Sequence, residues 1–281
     1  MPGGLDSYAA AIIANGPVGW WRFSELLAGS PTTAGSQDPA DLCLDSSGGG
    51  ALNNNALPYG NFLQYGSALI ANSPSVLTTR GAQPNYDNGS ALFPSTATTS
   101  TANIITGGSA QPTILQPTAA ISVEAWHVPN VIVGSALQIL ACYGTDASSA
   151  AAYKLYHTGS SASNHQFIFA VNIAGTVRTV TATLPTLVVG TKYHVVGTYN
   201  GVTLAIYVNG VSQNTGSFTG AISYAGIGAF GLAFGNDPSN SDGNLQGYLD
   251  EVAIYNYALS ATRVAYDYRQ GSVIQPFVWR H

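Results

Sequence analysis

Residues 193–217 constrain the fold of this chain more than any other stretch. Apolar and polar residues alternate there over three short runs, and a period of two is typical of β-strands. The runs are separated by Asn200-Gly201 and Asn209-Gly210. An Asn-Gly pair between alternating runs indicates a type I′ hairpin turn, because both central residues of that turn have positive φ. The sequence therefore predicts a three-stranded antiparallel meander with two tight turns.

Further strands are predicted along most of the chain, between turns rich in Gly, Asn and Pro. They cover residues 18–24, 90–93, 103–105, 119–128, 136–143, 152–157, 166–171, 176–182, 192–199, 202–208, 211–217, 226–233 and 245–257. Evenly spaced short strands are the signature of a sandwich or barrel, and two antiparallel sheets packed face to face are the expected outcome.

A short helix is predicted near each end of the chain. The first covers residues 7–14, after a cap at Asp6 or Ser7. The second covers residues 261–270, after a cap at Ser260 and before a stop at Gly271.

Charged residues are scarce in this chain of 281 residues. They make up 7% of it, against roughly 25% in ordinary globular proteins. The net charge is −5 and Lys plus Arg number only 8, which argues against a nucleic-acid-binding surface, since such surfaces need clustered basic residues. A surface with so few charges favours burial of part of it in a larger assembly.

Several segments resemble one family of domains, in the order in which that family has them. Residues 16–25 (GPVGWWRFSE) resemble its opening strand, and residues 89–93 (GSALF) and 120–126 (AISVEAW) resemble two strands of the centre. The hairpins of residues 193–210 and the closing strand of residues 247–260 (GYLDEVAIYNYALS) complete the resemblance. The family is that of the laminin G-like, or concanavalin A-like, lectin domains.

The resemblance implies an all-β fold, a two-sheet antiparallel jelly-roll sandwich with short N- and C-terminal helices. It leaves the function open, because this fold hosts lectins, adhesion modules, glycosidases and virion proteins.

The start of the chain favours a virion source. Residues 1–16 form a helical lead that resembles an opening element of phage-borne copies of the domain. The first residues carry no secretory signal, and no apolar run is long enough to span a bilayer. Release by cell lysis, as for a phage structural protein, reconciles these features with a mostly extracellular fold, and so does a fragment without its leader.

We therefore predict a non-enzymatic protein of the virion surface, of the decoration or tail-fibre type, with a lectin-like domain. Its expected partners are capsid or tail proteins, further copies of itself, and host or environmental glycans. The alternative is a carbohydrate-binding adhesion module of a cell-surface or secreted protein.

The sequence predicts a single domain over residues 1–281. Residues 26–88 differ from the rest in being rich in Gly, Ser, Asn and Pro, and we expect a loop-rich insertion there, where a specific function could have been added. The tail, residues 272–281, is apolar and ends in Trp279-Arg280-His281. We expect it to pack on its own domain or on a neighbouring subunit.

Asp250 is the most informative acidic residue. By strict alternation it shares a strand face with Val252 and Ile254, and a carboxylate on such a face must be paired, coordinated or protonated.

In related domains the Asp of the closing strand often binds a structural calcium, so the resemblance implies a calcium site at Asp250 with Glu25 and Asp45 as further ligands. Calcium takes six to eight oxygen ligands in flexible geometry. The alternative is that Asp250 hydrogen-bonds to Arg22 or to backbone amides. No other cofactor is predicted, because the nucleotide-binding glycine motifs are absent.

Glu124 raises the question of enzymatic activity. Glycosidases of this fold need paired carboxylates that flank the scissile bond, and the alternate positions on either side of Glu124 are Ser122 and Trp126. A lone carboxylate cannot act as both acid and nucleophile, so a structural role is predicted for Glu124. His194 is likewise predicted to be a packing or interstrand residue.

The remaining candidate ligands show no metal-site spacing. His127, His157 and His165 lack the separations suited to zinc, and Cys43 and Cys142 are either two buried thiols or a disulfide.

The tryptophans are predicted to be mainly core residues. Trp20, Trp21 and Trp126 lie within predicted strands, and Trp279 lies in the tail. Adjacent strand residues point to opposite faces, so either Trp20 or Trp21 is expected at a second interface.

Overall fold

The computed structural model describes the helices, most strands and part of the loops of the chain. It covers residues 7–23, 42–43, 63–65, 70–74, 89–93, 105–106, 113–132, 134, 136–144, 151–161, 163–182, 187–227, 231–236 and 244–272. The helices in these residues are α1 (Ser7–Asn15) and α2 (Ala261–Ser272). The strands are β1 (Gly19–Trp21), β2 (Leu42–Cys43), β3 (Leu63–Tyr65), β4 (Ile70–Pro74), β5 (Gly89–Phe93), β6 (Ile105–Thr106), β7 (Ile121–Pro129), β8 (Gln138–Tyr143), β9 (Tyr153–Thr158), β10 (Gln166–Ile173), β11 (Thr176–Thr181), β12 (Tyr193–Tyr199), β13 (Thr203–Val208), β14 (Val211–Ser217), β15 (Leu232–Phe234) and β16 (Gly247–Tyr255).

The strands form two antiparallel sheets, which confirms the predicted all-β sandwich. Sheet A has the order β14-β13-β12-β7-β16-β5-β4, with β1 also paired to β16. Sheet B has the order β11-β10-β9-β8-β15-β6-β3-β2. The architecture is that of a concanavalin A-like jelly roll with a short helix towards each end of the chain.

The main core lies between the two sheets. Its largest fully buried side chains include Trp21, Phe23, Phe93, Tyr143, Tyr153, Phe167, Phe169 and Tyr199. The sheets approach so closely that a Cβ added at Gly197 on β12 would lie 2.1 Å from the ring of Phe169 on β10. Only a glycine therefore fits at this crossing of the two sheets.

The meander β12-β13-β14 is present, and its two turns differ. Asn209 and Gly210 both have positive φ, 51° and 77°, as predicted for a type I′ turn. The prediction was wrong for Asn200, since only Gly201 in that turn has positive φ, at 91°. Instead, Oδ1 of Asn200 accepts hydrogen bonds from the amides of Val202 (3.0 Å) and Thr203 (2.7 Å). The side chain of Asn200 thus holds the turn without a left-handed backbone at Asn200 itself.

Helices α1 and α2 pack on the outer face of sheet A and enclose a second core. This core contains Tyr8, Ile12, Trp20, Trp126, Val196, Tyr255, Leu259 and Val264. Trp20 belongs to it whereas Trp21 belongs to the core between the sheets, which confirms that the two point to opposite faces. The second interface predicted for one of them is therefore made with helices of the same chain.

The ends of α2 follow the predicted signals at one end only. Ser260 caps it, since its Oγ accepts a hydrogen bond from the amide of Arg263 at 3.3 Å. Gly271 was predicted to stop the helix, but α2 extends to Ser272. No helix in the described part of the chain is both long and apolar enough to span a membrane.

Strand β16 contains a bulge that corrects the predicted face of Asp250. The register with β7 shifts between Asp250 and Ala253, and Glu251 has φ of +53°. Asp250 lies opposite Trp126 on the helix-covered face, whereas Val252 and Ile254 point into the core between the sheets. The alternation on which the prediction relied is broken by this one extra residue.

Other predicted segments are only partly described. The strand predicted at 226–233 is confined to Leu232–Phe234 among the described residues. Most of the loop-rich segment 26–88 and the tail beyond Ser272 lie outside the described residues, and so does Trp279. The single-domain organisation, with its lead, insertion and tail, stays a prediction.

Candidate functional site

The candidate site is a cluster of polar side chains between sheet A and the two helices. On β7, Val123 and Ala125 point into the core between the sheets, which places Glu124 on the opposite face, under the helices. Glu124 is 0% exposed. A carboxylate removed from water in this way needs hydrogen-bond donors from the surrounding elements.

Glu124 receives donors from three different elements. Its Oε1 accepts hydrogen bonds from the hydroxyl of Tyr8 on α1 and from Nε2 of His194 on β12, both at 2.8 Å. Its Oε2 accepts one from the hydroxyl of Tyr255 on β16, also at 2.8 Å. The contact between Glu124 and His194 agrees with the structural roles predicted for both, although Nδ1 of His194 is buried without a hydrogen-bond partner.

Both tyrosines remain donors at any ordinary pH. Burial, and next the negative charge of Glu124, raises the pKa of Tyr8 well above its usual range. The same two causes, in the same order, raise the pKa of Tyr255 well above its usual range. These hydroxyls thus keep their protons and stay available to the carboxylate.

Asp267 on α2 is a second carboxyl close to Glu124. Its Oδ2 accepts a hydrogen bond from Nδ2 of Asn15 at 2.8 Å, and its Oδ1 lies 3.5 Å from Nε of Arg263. Burial, followed by the charge of Glu124, raises the pKa of Asp267 to about 8, against the smaller opposite effects of Arg263 and Asn15. The carboxyl of Asp267 therefore binds a proton more readily in the folded protein than in the unfolded chain.

The pair of Glu124 and Asp267 is buried between sheet A and the helices. Both residues are 0% exposed, and Asp267 itself lies on α2. The sequence correctly showed that Glu124 has no acidic partner on its own strand. Nothing in the sequence indicated that Asp267 would lie near Glu124, because the two residues are 143 positions apart and only the tertiary fold brings them together.

A second polar group surrounds Glu251 at the β16 bulge. Its Oε2 accepts a hydrogen bond from Nε1 of Trp20 at 2.6 Å, and its Oε1 accepts from Nε (3.2 Å) and Nη2 (3.1 Å) of Arg22. The guanidinium of Arg22 also lies 4.7 Å from the centre of the Trp20 ring. The sequence analysis missed Glu251, since strict alternation gave no sign that this residue would turn inward.

Asp250, the central residue of the predicted calcium site, is 1% exposed. Its two predicted co-ligands, Glu25 and Asp45, lie outside the described residues. Within the described ranges, no group of three or more His, Cys, Asp or Glu side chains is arranged to hold a metal ion. Asp250 can supply one of the oxygens that calcium requires, and the site stays a prediction.

The remaining sequence candidates fall in the core between or beside the sheets. His127, His157 and His165 are each 0% exposed and, despite their irregular spacing in sequence, lie next to one another. Cys142 is a buried thiol whose Sγ donates a hydrogen bond to the carbonyl of Gly144 at 3.2 Å. The side chain of Cys43 lies outside the described residues, so a pairing of the two cysteines stays untested.

Comparison with protein families gives one match. Residues 97–265, more than half of the chain, match a laminin G-type family described as the concanavalin A-like lectin/glucanases superfamily. No curated protein matches the chain in sequence.

Similar folds occur in solved structures of low sequence identity. The receptor-binding domain of botulinum neurotoxin type G is 13% identical, with a TM-score of 0.54, over 90% of this chain and 51% of that one. Botulinum neurotoxin type C, in a structure that concerns its dependence on two ganglioside molecules for cell entry, is 12% identical, with a TM-score of 0.50, over 94% of this chain and 53% of that one.

A third similar structure is domain 4 of AbnA, an extracellular arabinanase of Geobacillus stearothermophilus, in complex with arabinotriose. It is 14% identical, with a TM-score of 0.48, over 89% of this chain and 96% of that one. The chain spans about half the length of the toxin domains that it resembles. The two toxin likenesses establish the fold alone.

Asp267 should make the protein less stable as the pH rises. Its pKa is about 8 in the folded state and 3.8 in the unfolded chain, so the folded state binds more protons between these values. The free energy of unfolding should then fall by about 1.4 kcal/mol per pH unit between about pH 5 and 7 on account of this group. In Asp267→Asn that contribution should vanish, as measured by urea unfolding across this pH range.

Glu124→Gln is the matched variant for this measurement. It removes the charge that helps to raise the pKa of Asp267 but leaves Asp267 in place, so it should reduce the same pH dependence in part. Equal pH slopes for the wild-type protein and Asp267→Asn would show that Asp267 is already ionised at neutral pH.

Calcium should raise the melting temperature if Asp250 helps to bind it, because a ligand that binds only the folded state stabilises that state. We expect a higher melting temperature in calcium than in EGTA for the wild-type protein, and no difference for Asp250→Asn. Magnesium is the control, since its octahedral preference fits such sites poorly. Identical melting in calcium and EGTA would refute the predicted site.

Proposed function

Because the chain belongs to the concanavalin A-like lectin/glucanase superfamily, we propose that it is a non-enzymatic, lectin-like module that binds glycans. The position of Glu124 carries the non-enzymatic part of this proposal. A glycosidase needs two carboxyl groups that flank the sugar, separated by about 5–10 Å. Here the carboxylate of Glu124 accepts hydrogen bonds from Tyr8, His194 and Tyr255 and is fully buried beneath two helices.

The open edge of the sandwich between β11 and β14 supports glycan binding. The two sheets meet there through a hydrogen bond of 3.0 Å from Nδ2 of Asn214 to the carbonyl of Thr181. Arg178 lies over the ring of Phe218, with its guanidinium carbon 5.3 Å from the ring centre. Thr176, Arg178 and Asn214 are exposed, and Phe218 is half-buried.

The chemistry of this edge suits a polar ligand such as a sugar. Amide and hydroxyl groups donate and accept hydrogen bonds, and the guanidinium of Arg178 donates them, so sugar hydroxyls can find partners here. The described residues of β11 and β14 include no acidic side chain, so an acidic sugar would not be repelled there. We assign glycan binding to this β11–β14 edge.

Glycan binding is tested on a glycan array with the full-length chain, with and without calcium. Bound glycans should be retained uncleaved, and Arg178→Ala and Asn214→Ala should each weaken binding roughly tenfold, the loss expected for one or two hydrogen bonds. Thr191→Ala, in the exposed loop before β12, is the control and should bind as the wild type does. An array without hits would refute glycan binding, and release of free sugar would refute the non-enzymatic assignment.

The virion surface is the location that we propose for this module, and assembly with capsid or tail proteins or with further copies is the proposed context. Support comes from the very low content of charged residues, 7%, and from the apolar tail in residues 272–281. A cell-surface or secreted adhesion module remains the alternative. In that case glycan binding is expected without assembly.

Light scattering of the full-length chain separates these locations. If the tail drives assembly, the full-length chain should form oligomers and a version ending at Gly271 should be monomeric. If the full-length chain and the shortened version are both monomeric and equally stable, the assembly role is contradicted and the adhesion module is favoured.

A further inference from the structure

Three buried histidines from different parts of the sequence form a row in the core between the sheets. The rings of His127 on β7 and His157 on β9 are 5.4 Å apart, measured between their centres. The rings of His157 and His165 are 5.2 Å apart, and their Nδ1 atoms lie at 3.0 Å. All three are 0% exposed. The row therefore links the two sheets, because β7 belongs to sheet A and β9 to sheet B.

The partners of the outer two rings fix where every proton sits in the neutral row. A carbonyl oxygen can only accept, so Nδ1 of His127 donates to the carbonyl of Tyr248 (2.9 Å) and Nε2 of His165 donates to that of Gly134 (2.8 Å). Nδ1 of neutral His165 is then an acceptor, and Nδ1 of His157 must donate to it. In consequence, Nε2 of His127 and Nε2 of His157 carry no proton.

These two Nε2 atoms are the places where a further proton would bind. Both are buried, and neither has a hydrogen-bond partner. A proton bound there would create a charged imidazolium whose new N–H group is buried and has no acceptor. The closed arrangement therefore accommodates the neutral row only.

We propose that His127, His157 and His165 form an acid-sensitive latch, which holds the two sheets together at this end of the sandwich while it is neutral and releases them when it is protonated. The proposal is independent of glycan binding and of the location of the protein.

No acidic side chain among the described residues acts on His127 or His157 to stabilise a positive charge. Phe167 on β10 presents its edge to His157, with the ring centres 5.7 Å apart, and Tyr193 on β12 packs against Phe167 at 5.4 Å. The hydroxyl of Tyr193 accepts a hydrogen bond from the amide of Val188. On β16, Tyr248 meets the row through its backbone carbonyl. Among the described residues, the only charges that act on His157 are those of the other two histidines.

The pKa values agree with this geometry. Burial lowers the pKa of His127 from 6.5 to about 4, opposed only by the hydrogen bond to Tyr248. Burial, followed by the charges of His127 and His165, lowers the pKa of His157 well below its ordinary value. Since the unfolded chain binds these protons first, stability is complete above about pH 6.5 and is lost as the pH falls towards 4.

The size of the effect follows from the same values. For His127 alone, the ratio of folded to unfolded protein should fall about thirtyfold between pH 7.5 and pH 5. His157 adds to this loss, whereas Asp267 opposes it because its pKa is raised. The contribution of the histidines must therefore be obtained by comparing the pH dependence of unfolding between variants, and not from that of the wild-type protein alone.

The test compares the pH dependence of unfolding in His127→Asn and His157→Asn with that of the wild-type protein. Asparagine places an amide donor near the position of Nδ1, so it can keep the hydrogen bonds to Tyr248 and His165 but cannot bind the extra proton. Thr198→Ala on β12 is the control, because Thr198 is buried and has no ionisable side chain. Urea unfolding at pH 7.5, 6 and 5 gives the ratio of folded to unfolded protein.

Relative to the wild-type protein, the folded-to-unfolded ratio of His127→Asn should fall about thirtyfold less on acidification from pH 7.5 to pH 5. The ratio of His157→Asn should also fall less, and that of Thr198→Ala should fall as in the wild-type protein. If both asparagine variants follow the wild-type curve, or if Thr198→Ala gains as much acid resistance as they do, the proposal is wrong.

A second measurement tests the acid-sensitive latch in the wild-type protein, so it does not depend on whether the variants fold. Hydrogen exchange of the wild-type amides, corrected for intrinsic rates, is compared between pH 7 and pH 5. The amides of β9, of the start of β10 and of residues 127–132 should lose protection before those of the β12–β13 hairpin. Uniform loss over both regions, or no loss at all, would overturn the latch.

Discussion

The hydrogen bonds to Glu124 are the interaction on which the outer half of the structure depends. This one carboxylate accepts hydrogen bonds from Tyr8 on α1, His194 on β12 and Tyr255 on β16. It therefore links three elements that are far apart in sequence on one face of sheet A. A buried carboxylate that lost these donors would cost several kcal/mol, which makes the arrangement close to all-or-none. The helices are thus held by polar contacts at the centre and by apolar packing of Trp20 and Trp126 around them.

Ionisable groups are buried in two separate places, and they respond to pH in opposite directions. Under the helices, burial and next the charge of Glu124 raise the pKa of Asp267. Between the sheets, burial lowers the pKa of His127 and of His157, and their Nε2 atoms have no hydrogen-bond partner. Both effects have burial as their largest cause. A fold with few charges in total has nevertheless placed several of its ionisable side chains where water cannot reach them.

The fold was predictable from the sequence because its signals are local. Alternation fixed most strands, and Asn209-Gly210 fixed a turn by backbone conformation alone. Two local predictions were wrong because they depended on contacts that alternation does not reveal. At Asn200 a side-chain hydrogen bond replaced the expected backbone turn, and at Glu251 one extra residue reversed the faces that alternation predicted. The partners of Glu124 and of His157 lie far away in sequence, so no spacing rule could reveal either cluster. Glu25 and Asp45 stay untested beside Asp250.

The bulge of β16 has a topological consequence. Residues Gly247 to Leu249, before the bulge, pair with β5, and residues Val252 to Ile254, after the bulge, pair with β1. Strand β16, which is late in the sequence, is therefore hydrogen-bonded to β1, which is early in it. Contact continues into the helices, where Oγ of Ser7 lies 3.4 Å from the carbonyl oxygen of Gln270. The first and last described elements therefore lie side by side. Domains with this arrangement generally tolerate circular permutation at a surface loop, and they can be carried as an insertion within another protein.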